Sequence, residues 1–175
     1  MRTLQTPRLT LEPQLAAHAE AMFAVLADPA IYEYEHAPPA SIQALRERYA
    51  YLEGRRSPDG TQQWLNWVVR LRPSAELTGY VQATVHADHR AAVAYEFASA
   101  FWHRGIASEA VRAMIDELVA SHGAERLTAV LKARNQRSRR LLERLGFMAA
   151  SAAERAAAQV DVDELLMRRD AVLRN

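Results

Sequence analysis

The feature that most constrains this chain is the segment at residues 101–121, in which a turn that follows a predicted strand leads into a long helix. Apolar side chains recur there at three- and four-residue spacing, at Ala107, Ala110, Val111, Met114, Ile115, Leu118 and Val119. This period predicts a helix over residues 107–121 with one buried face. His122-Gly123 ends it, because glycine readily takes the left-handed conformation that follows many helices. A one-sided helix directly after a strand needs a sheet to pack on, which favours an α/β architecture.

Apolar alternation and turn signals divide the rest of the chain into further elements. Predicted strands cover residues 9–11, 64–71, 77–86, 91–98, 127–131, 147–150 and 160–167. Predicted helices cover residues 15–26, a stretch after the N-cap Ser41, and a stretch that begins at Asn135 and closes at Gly146. Residues 149–158 are expected to be a loop or an irregular crossing. The order predicts an α/β fold with a mixed, largely antiparallel sheet and helices on both faces.

The composition is that of a soluble globular chain without thiol chemistry. Its 175 residues, half of them hydrophobic and a quarter charged, suit one domain over residues 1–175. The net charge of +1 creates no global field toward nucleic acid or an anionic membrane. The absence of cysteine excludes disulfides, thiolate metal sites and a cysteine nucleophile. No signal peptide and no apolar stretch of the roughly 20 residues that span a bilayer is recognisable, so we expect a cytoplasmic protein.

The turn at residues 101–110 has the properties of an anion-binding loop. Gly105 and Ala107 lack bulky side chains, so a ligand can approach the backbone. The first helical turn leaves N–H groups without intrahelical partners, and the helix dipole adds partial positive charge. Such a loop suits a pyrophosphate, with a hydroxyl from Ser108 and charge from Arg104. The alternative is an ordinary strand–helix turn with a serine cap.

A run of positive charge follows this unit. Residues 126–144 hold seven basic side chains, at Arg126, Lys132, Arg134, Arg137, Arg139, Arg140 and Arg144, and only one acid, Glu143. This run suits a cofactor with several phosphates. The alternative is a solvated helix face, which applies above all to Arg139, Arg140 and Arg144.

Three motifs occur in order along the chain: TPRLTL at residues 6–11, the loop and helix start at residues 101–110, and NQRS at residues 135–138 followed by LLERLGF at residues 141–147. Together they resemble the GNAT family of acyl-CoA N-acetyltransferases. Within that family they are similar to the Rim-type branch of ribosomal-protein N-terminal acetyltransferases. The expected order of elements agrees with this resemblance over most of the chain.

The resemblance implies acetyl-CoA as the co-substrate. Backbone N–H groups from about Arg104 to Ser108 would hold its pyrophosphate, and its pantetheine arm would lie where strands 91–98 and 127–131 separate. A backbone N–H near Phe97 or Ala98 would polarise the thioester carbonyl, and Asn135 would hydrogen-bond the cofactor arm or order the site. The implied cofactor-binding set is Phe97, Ala98, His103, Arg104, Gly105, Ile106, Ala107, Ser108, Asn135 and Arg137.

The catalytic residues follow the family pattern less closely. Many GNAT enzymes protonate the leaving thiolate with a tyrosine in the last helix, and the matching position here is Leu142. Ser138, the usual substitute in the Rim-type branch, is the candidate, as a weak acid or as a hydrogen-bond donor only. Glu96 is the candidate general base, accepting the proton of the amine directly or through water. The alternative for Glu96 is pairing with a neighbouring arginine on the sheet.

A second acidic cluster comprises Tyr32, Glu33, Tyr34, Glu35 and His36. By analogy with the family it lies on the acceptor side and could attract a cationic amine. The alternative is a solvated loop.

The expected acceptor is a protein N-terminal α-amine or a small amine, and a homodimer is compatible with the resemblance. Two other functions stay open: a non-catalytic acyl-CoA-binding module, favoured by the missing tyrosine, and an RNA- or ribosome-associated protein that uses the basic run. The net charge of +1 disfavours the latter, so no direct nucleic-acid binding is expected. No metal is expected either, because His86, Asp88 and His89 lie in a predicted tight turn without a further ligand.

Overall fold

The computed structural model describes residues 1–34 and 37–171. Its strands are β1 Leu4–Gln5, β2 Leu9–Pro13, β3 Gln62–Leu71, β4 Leu77–His86, β5 Arg90–Phe97, β6 Arg126–Lys132, β7 Met148–Ala149 and β8 Glu164–Asp170. Its α-helices are α1 Ala19–Leu26, α2 Ile42–Leu52, α3 Ile106–His122, α4 Gln136–Arg144 and α5 Ala152–Ala157. Short 3-10 turns at Ala16–His18, Pro29–Tyr32 and Ser99–Phe101 complete these elements.

The strands form one sheet in the order β1-β2-β3-β4-β5-β6-β8-β7. All neighbours are antiparallel except β5 and β6, which run parallel. The parallel step follows from the crossover through α3, which returns the chain to the end of the sheet at which β5 begins. The predicted mixed, largely antiparallel α/β fold is confirmed.

Both faces of the central strands are buried. On β3, Trp67 and Val69 belong to a core that includes Met114 and Leu118 of α3, whereas Val68 belongs to a core with α1 and α2. Successive side chains of a strand point to opposite faces, so neighbouring residues of one strand serve two different cores. Each fully buried Leu or Met side chain contributes about 1.5–3 kcal/mol to stability.

The predicted helix boundaries hold where a cap is present in the sequence. The Ser41 hydroxyl accepts a hydrogen bond from the Ala44 N–H and begins α2. Gly123, with a φ of 64°, ends α3 in the left-handed region. None of the described helices is both long and apolar enough to cross a membrane.

The C-terminal part corrects two predictions. Residues 149–158 are not a loop throughout: they include α5, begun by a capping box in which Ser151 and Glu154 bond each other's backbone N–H groups. The final strand runs over Glu164–Asp170 rather than residues 160–167. Val160 and Val162 attracted the strand prediction by their β-branched side chains, but Val162 is 98% exposed and does not pair.

Gly79 on β4 is required by the close packing of β5. A Cβ atom built there would lie 2.1 Å from the Glu96 carbonyl oxygen and 2.7 Å from the Phe97 Cα. Both are backbone atoms that cannot swing away, so the close approach of these strands needs a residue without a side chain.

We therefore expect Gly79→Ala to lower the free energy of unfolding by about 2 kcal/mol or more, because the added methyl group forces the two strands apart. Urea denaturation measures the change. Gly54→Ala is the matched control, since a Cβ there would meet its nearest atom, the Tyr51 carbonyl oxygen, at an ordinary 3.5 Å. Equal midpoints for the two variants would contradict the close packing at Gly79.

Candidate active site

The sheet opens between β5 and β6. The two strands pair only at Arg90–Arg126, Ala91–Leu127 and Ala92–Thr128. Beyond these positions β5 continues to Phe97 while β6 continues to Lys132, held on its other side by β8 along its whole length. The expected separation of these strands is confirmed.

A cavity of about 490 Å³, here called the gap cavity, lies at this opening. The C-terminal end of β5, the turn before α3, the first turn of α3 and one side of α4 surround it. Its lining comprises Ile31, Tyr95, Glu96, Phe97, Phe101, Trp102, His103, Gly105, Ile106, Ala107, Ser108, Asn135, Arg137, Ser138, Leu141 and Arg144.

The N-terminus of α3 faces the gap cavity with its backbone held in place. Gly105 precedes the helix with a φ of 75°, in the region that favours glycine. The Arg8 guanidinium donates to the Arg104 carbonyl oxygen at 2.9 Å and pairs with Glu109 at 2.6 Å. Thr6 donates a second hydrogen bond to Glu109, and although burial opposes the effect, these donors lower the pKa of that carboxyl.

The pairing of Arg8 with Glu109 has an electrostatic consequence. A carboxylate in the first turn would otherwise compete with an anionic ligand for the positive end of the helix dipole. With Arg8 and Thr6 bound to it, its charge is compensated on the side of β2. The N–H groups of Ile106, Ala107 and Ser108 remain the helix donors nearest the gap cavity.

Of the two backbone groups expected at the thioester, the geometry favours Phe97. The Ala98 N–H donates to the Thr78 carbonyl oxygen of β4 at 3.0 Å. Successive N–H groups of a strand point to opposite edges, so the Phe97 N–H points away from β4 and into the gap. The Phe97 carbonyl oxygen points the same way and accepts a 2.7 Å hydrogen bond from the Trp102 indole.

Ser138 lies in the gap cavity, at the start of α4. The Asn135 side-chain oxygen caps this helix by accepting from the Ser138 N–H at 3.0 Å. Asn135 thereby begins α4 beside the gap cavity. The cap fixes the position of Ser138 in the first turn.

The sequence analysis missed the partner of Ser138. The Tyr95 hydroxyl of β5 lies 2.8 Å from the Ser138 hydroxyl, and both residues line the gap cavity. Burial raises the pKa of Tyr95 to about 12, although the Ser138 hydrogen bond and the Arg137 charge lower it. The only signal in the sequence was strand alternation, which places Tyr95 on the same side of β5 as Phe97.

Glu96 lies on the other face of β5 and borders two cavities. Besides the gap cavity it lines a second cavity of about 400 Å³, here called the Tyr80 cavity. This cavity opens between β4, α2 and the chain after α1, and its lining includes Tyr32, Tyr49, Tyr80, Arg48 and Gln82. The cross-strand neighbour of Glu96 on β4 is Tyr80.

The negative charge of Glu96 contributes to raised pKa values of three tyrosine hydroxyls in the Tyr80 cavity. Burial, followed by the charge of Glu96 and a hydrogen bond to it, raises the pKa of Tyr80. Burial and then Glu96 raise the pKa of Tyr32 to about 12. Burial is also the main cause of the raised pKa of Tyr49, with Arg48 opposing it and Glu96 adding to it. These phenols keep their protons at neutral pH and remain hydrogen-bond donors.

The basic run does not form one patch. Only Arg137 and Arg144 line the gap cavity, and the Arg137 guanidinium lies 3.3 Å from the centre of the Trp102 ring. Lys132 pairs with Asp163 and Glu164, Arg139 with Glu143, and Arg126 with Asp170. Because helices and strands turn successive side chains to different sides, neighbours in sequence are dispersed in space.

Ten of the twelve expected site residues line the gap cavity, and Ala98 and Arg104 do not. Arg104 is exposed, and its guanidinium lies 5.7 Å from the Phe101 ring centre. In the second acidic cluster, Tyr32 lines the Tyr80 cavity, and Tyr34 lies beneath the Arg134 guanidinium. Glu35 and His36 lie outside the described residues.

The turn with His86, Asp88 and His89 has other contacts. Asp88 pairs with Arg90 at 2.6 Å, and His89 Nδ1 lies 3.1 Å from the Gly123 carbonyl oxygen. Within residues 1–34 and 37–171, no three His, Cys, Asp or Glu side chains come together as metal ligands.

Comparisons with known proteins identify the family and the fold of this chain. The family model described as "Acetyltransferase (GNAT) domain" matches residues 8–148. The chain is 25% identical over 146 residues to the uncharacterized N-acetyltransferase YoaA of Bacillus subtilis (strain 168), covering 82% of this chain and 81% of that protein.

Solved structures share the architecture. One is RimL, a ribosomal L7/L12 α-N-protein acetyltransferase solved with coenzyme A. It aligns with a TM-score of 0.79 and 15% identity, over 97% of this chain and 98% of RimL. MccE, the microcin C7 self-immunity acetyltransferase solved with acetyl-CoA and AMP, has a TM-score of 0.75 with 16% identity and coverage of 95% and 94%. At these identities the likeness concerns the fold. Because the family model covers most of the sequence, the chain belongs to the GNAT acetyltransferase family and is an acetyl-CoA-dependent N-acetyltransferase.

Proposed function

We propose that this enzyme moves the acetyl group of acetyl-CoA to a primary amine by direct attack in a ternary complex, and that the acceptor is a protein N-terminal α-amine or a small amine. One observation carries the proposal. Glu96 borders both the gap cavity and the Tyr80 cavity, so two substrates could meet at one carboxylate.

The gap cavity suits acetyl-CoA in both shape and charge. An opened parallel strand pair offers an edge along which an extended pantetheine arm can hydrogen-bond. The pyrophosphate would lie at the N-terminus of α3, on the N–H groups of Ile106, Ala107 and Ser108. Arg137 and Arg144 add positive charge on the α4 side. RimL and MccE, which share the fold, were solved with coenzyme A and acetyl-CoA.

The Phe97 N–H is the proposed oxyanion donor. It points into the gap, and the Trp102 indole holds the peptide plane next to it through the Phe97 carbonyl oxygen. A donor fixed in this way needs no reorganisation when charge develops on the thioester oxygen, which is the condition for strong electrostatic stabilisation. Gly79 of β4 packs closely against the backbone of Glu96 and Phe97, and this contact helps to hold the Phe97 N–H in its orientation.

Glu96 is the proposed general base. The amine nitrogen attacks the thioester carbon while Glu96 accepts an amine proton, directly or through water, and the C–S bond then breaks to release the thiolate. Three protonated tyrosine hydroxyls line the Tyr80 cavity together with the Glu96 carboxylate. The path by which the amine would reach Glu96 is therefore polar rather than purely apolar. RimL, which shares the fold, is an α-N-protein acetyltransferase, and this supports an α-amine among the candidate acceptors.

We expect Gly105→Val to weaken acetyl-CoA binding by at least tenfold. A β-branched residue is strained at a φ of 75°, and relief of that strain moves the N–H groups of the first α3 turn. Isothermal titration measures the affinity. Gly60→Val is the matched control, because Gly60 has a similar φ of 72° with no atom within 4 Å of an added Cβ. Unchanged affinity in a folded Gly105→Val protein would show that this turn does not hold the cofactor.

We expect Glu96→Gln to lower turnover more at low pH than at high pH. At low pH the amine is protonated and needs the base, whereas near its own pKa, about 8 for an α-amine, it becomes neutral without help. The measurement is kcat/KM against pH with a fixed amine. Glu76→Gln, in the exposed turn between β3 and β4, is the control. A loss that is the same at every pH would argue against Glu96 as the base.

A further inference from the structure

The leaving thiolate needs a partner that Leu142 cannot provide. A thiol such as that of cysteine has a pKa of about 8.5, so the sulfur departs as an anion that benefits from a hydrogen-bond donor. Leu142 is fully buried in the core under α4. Among the described residues that line the gap cavity, Tyr95 and Ser138 are the ones that carry paired hydroxyl groups.

We propose that Tyr95 positions and polarises Ser138, so that the two hydroxyls form a relay that stabilises the leaving thiolate. This inference rests on the proposed function of the gap cavity. In the relay, the Tyr95 hydroxyl donates to the Ser138 oxygen, and the Ser138 hydroxyl donates to the sulfur.

The direction of the relay follows from proton counting. Ser138 has one hydroxyl proton, so it can serve the sulfur only if it does not donate to Tyr95. The other acceptor near the Tyr95 hydroxyl, the Ser138 carbonyl oxygen, lies at 3.4 Å and is a poorer partner than the Ser138 hydroxyl at 2.8 Å. Tyr95 is protonated at neutral pH and is therefore available as the outer donor.

Acidity decides what the relay can do. With a pKa of about 12, the Tyr95 hydroxyl is a much weaker acid than a thiol of about 8.5, so complete transfer of its proton to the sulfur is uphill by several pKa units. The pair therefore stabilises the thiolate by hydrogen bonding, and the proton that finally neutralises the sulfur comes from solvent. No covalent bond to Ser138 or Tyr95 forms.

Several charged or titratable side chains also line the gap cavity, and their effect on the thiol pKa must be distinguished from that of the relay. Arg137 and Arg144 of α4, His103 of the turn before α3, and Glu96 of β5 all line the gap cavity. They stay in place when a single hydroxyl is removed. A comparison between the wild-type protein and Tyr95→Phe therefore isolates the contribution of Tyr95.

The test is the pKa of the coenzyme A thiol in its binary complex with the protein, followed through the ultraviolet absorbance of the thiolate. The relay lowers this pKa below that of free coenzyme A. We expect Tyr95→Phe to raise it by about one unit and Ser138→Ala to raise it by at least as much, since each loses a hydrogen bond to a charged group. The double variant should add little to Ser138→Ala, because Tyr95 acts through Ser138.

Turnover provides the second measurement. We expect Tyr95→Phe to lower kcat about tenfold with little change in KM for acetyl-CoA. Tyr51→Phe is the matched control and should behave as the wild type, because Tyr51 is 60% exposed and its ring lies near Trp64, at 5.5 Å between ring centres. S-methyl coenzyme A, which has no ionisable thiol, should bind equally well to wild-type and Tyr95→Phe proteins.

The outcomes separate the relay from the proposed function. If the Tyr95→Phe protein binds coenzyme A with the wild-type thiol pKa and turns over at the wild-type rate, the relay is wrong while the cofactor site stands. If Tyr95→Phe and Ser138→Ala raise the thiol pKa additively, the two hydroxyls act independently and the relay is wrong as well. If the wild-type protein does not bind coenzyme A, the proposed function itself fails.

Discussion

The rest of the site depends on the early end of pairing between β5 and β6. Backbone N–H and C=O groups seldom stay without partners, so an opened strand pair needs support from elsewhere. β6 obtains it from β8, which pairs with it from Arg126 to Lys132. β5 obtains it from β4 up to Ala98, and the Trp102 indole satisfies the Phe97 carbonyl oxygen on the open side. The opening is thus a stable feature of the sheet that leaves the Phe97 N–H directed into the gap.

The same stretch of β5 divides the chemistry between two faces of the sheet. Tyr95 points toward α3 and α4, where it meets Ser138, whereas Glu96 points toward α1 and α2, where it meets Tyr80. Adjacent residues of a strand must face opposite sides, so the proposed thiolate side and the proposed amine side of the reaction are separated by one peptide unit. Phe97, the next residue, directs its N–H between them. This arrangement explains why one short segment holds most of the proposed catalytic groups.

Much of this could be predicted from sequence, because the signals were local. The α3 pattern, Gly105 before it and the Asn135 cap are each determined by residues a few positions apart, and all three are confirmed as structural features. The signal for α5 was also local: Ser151 and Glu154 have the spacing of a capping box, but the run of alanines around them was interpreted as a loop. The pairing of Tyr95 with Ser138 joins residues 43 positions apart, and no local pattern records it.

The basic residues at 126–144 show a different limit of prediction from sequence. Seven basic residues within residues 126–144 suggested a phosphate-binding patch, yet only Arg137 and Arg144 reach the gap cavity. The others lie on β6, in the turn that follows it or on other sides of α4, and several pair with acids of β8 or of the same helix. Sequence reports how much charge a segment holds, whereas the sheet register and the helix rotation decide where that charge points.

The most direct test of the account is the response of individual backbone amides to acetyl-CoA, followed by nuclear magnetic resonance on isotope-labelled protein. The amide signals of Phe97, Ile106, Ala107 and Ser108 should shift most on titration, because their N–H groups are proposed to contact the thioester and the pyrophosphate. The Ala98 amide, which already donates to Thr78, should shift less. Large shifts confined to another surface, such as the groove between the N-terminal strand and α3 at Arg2 and Glu117, with Phe97 and the α3 N-terminus unchanged, would contradict it.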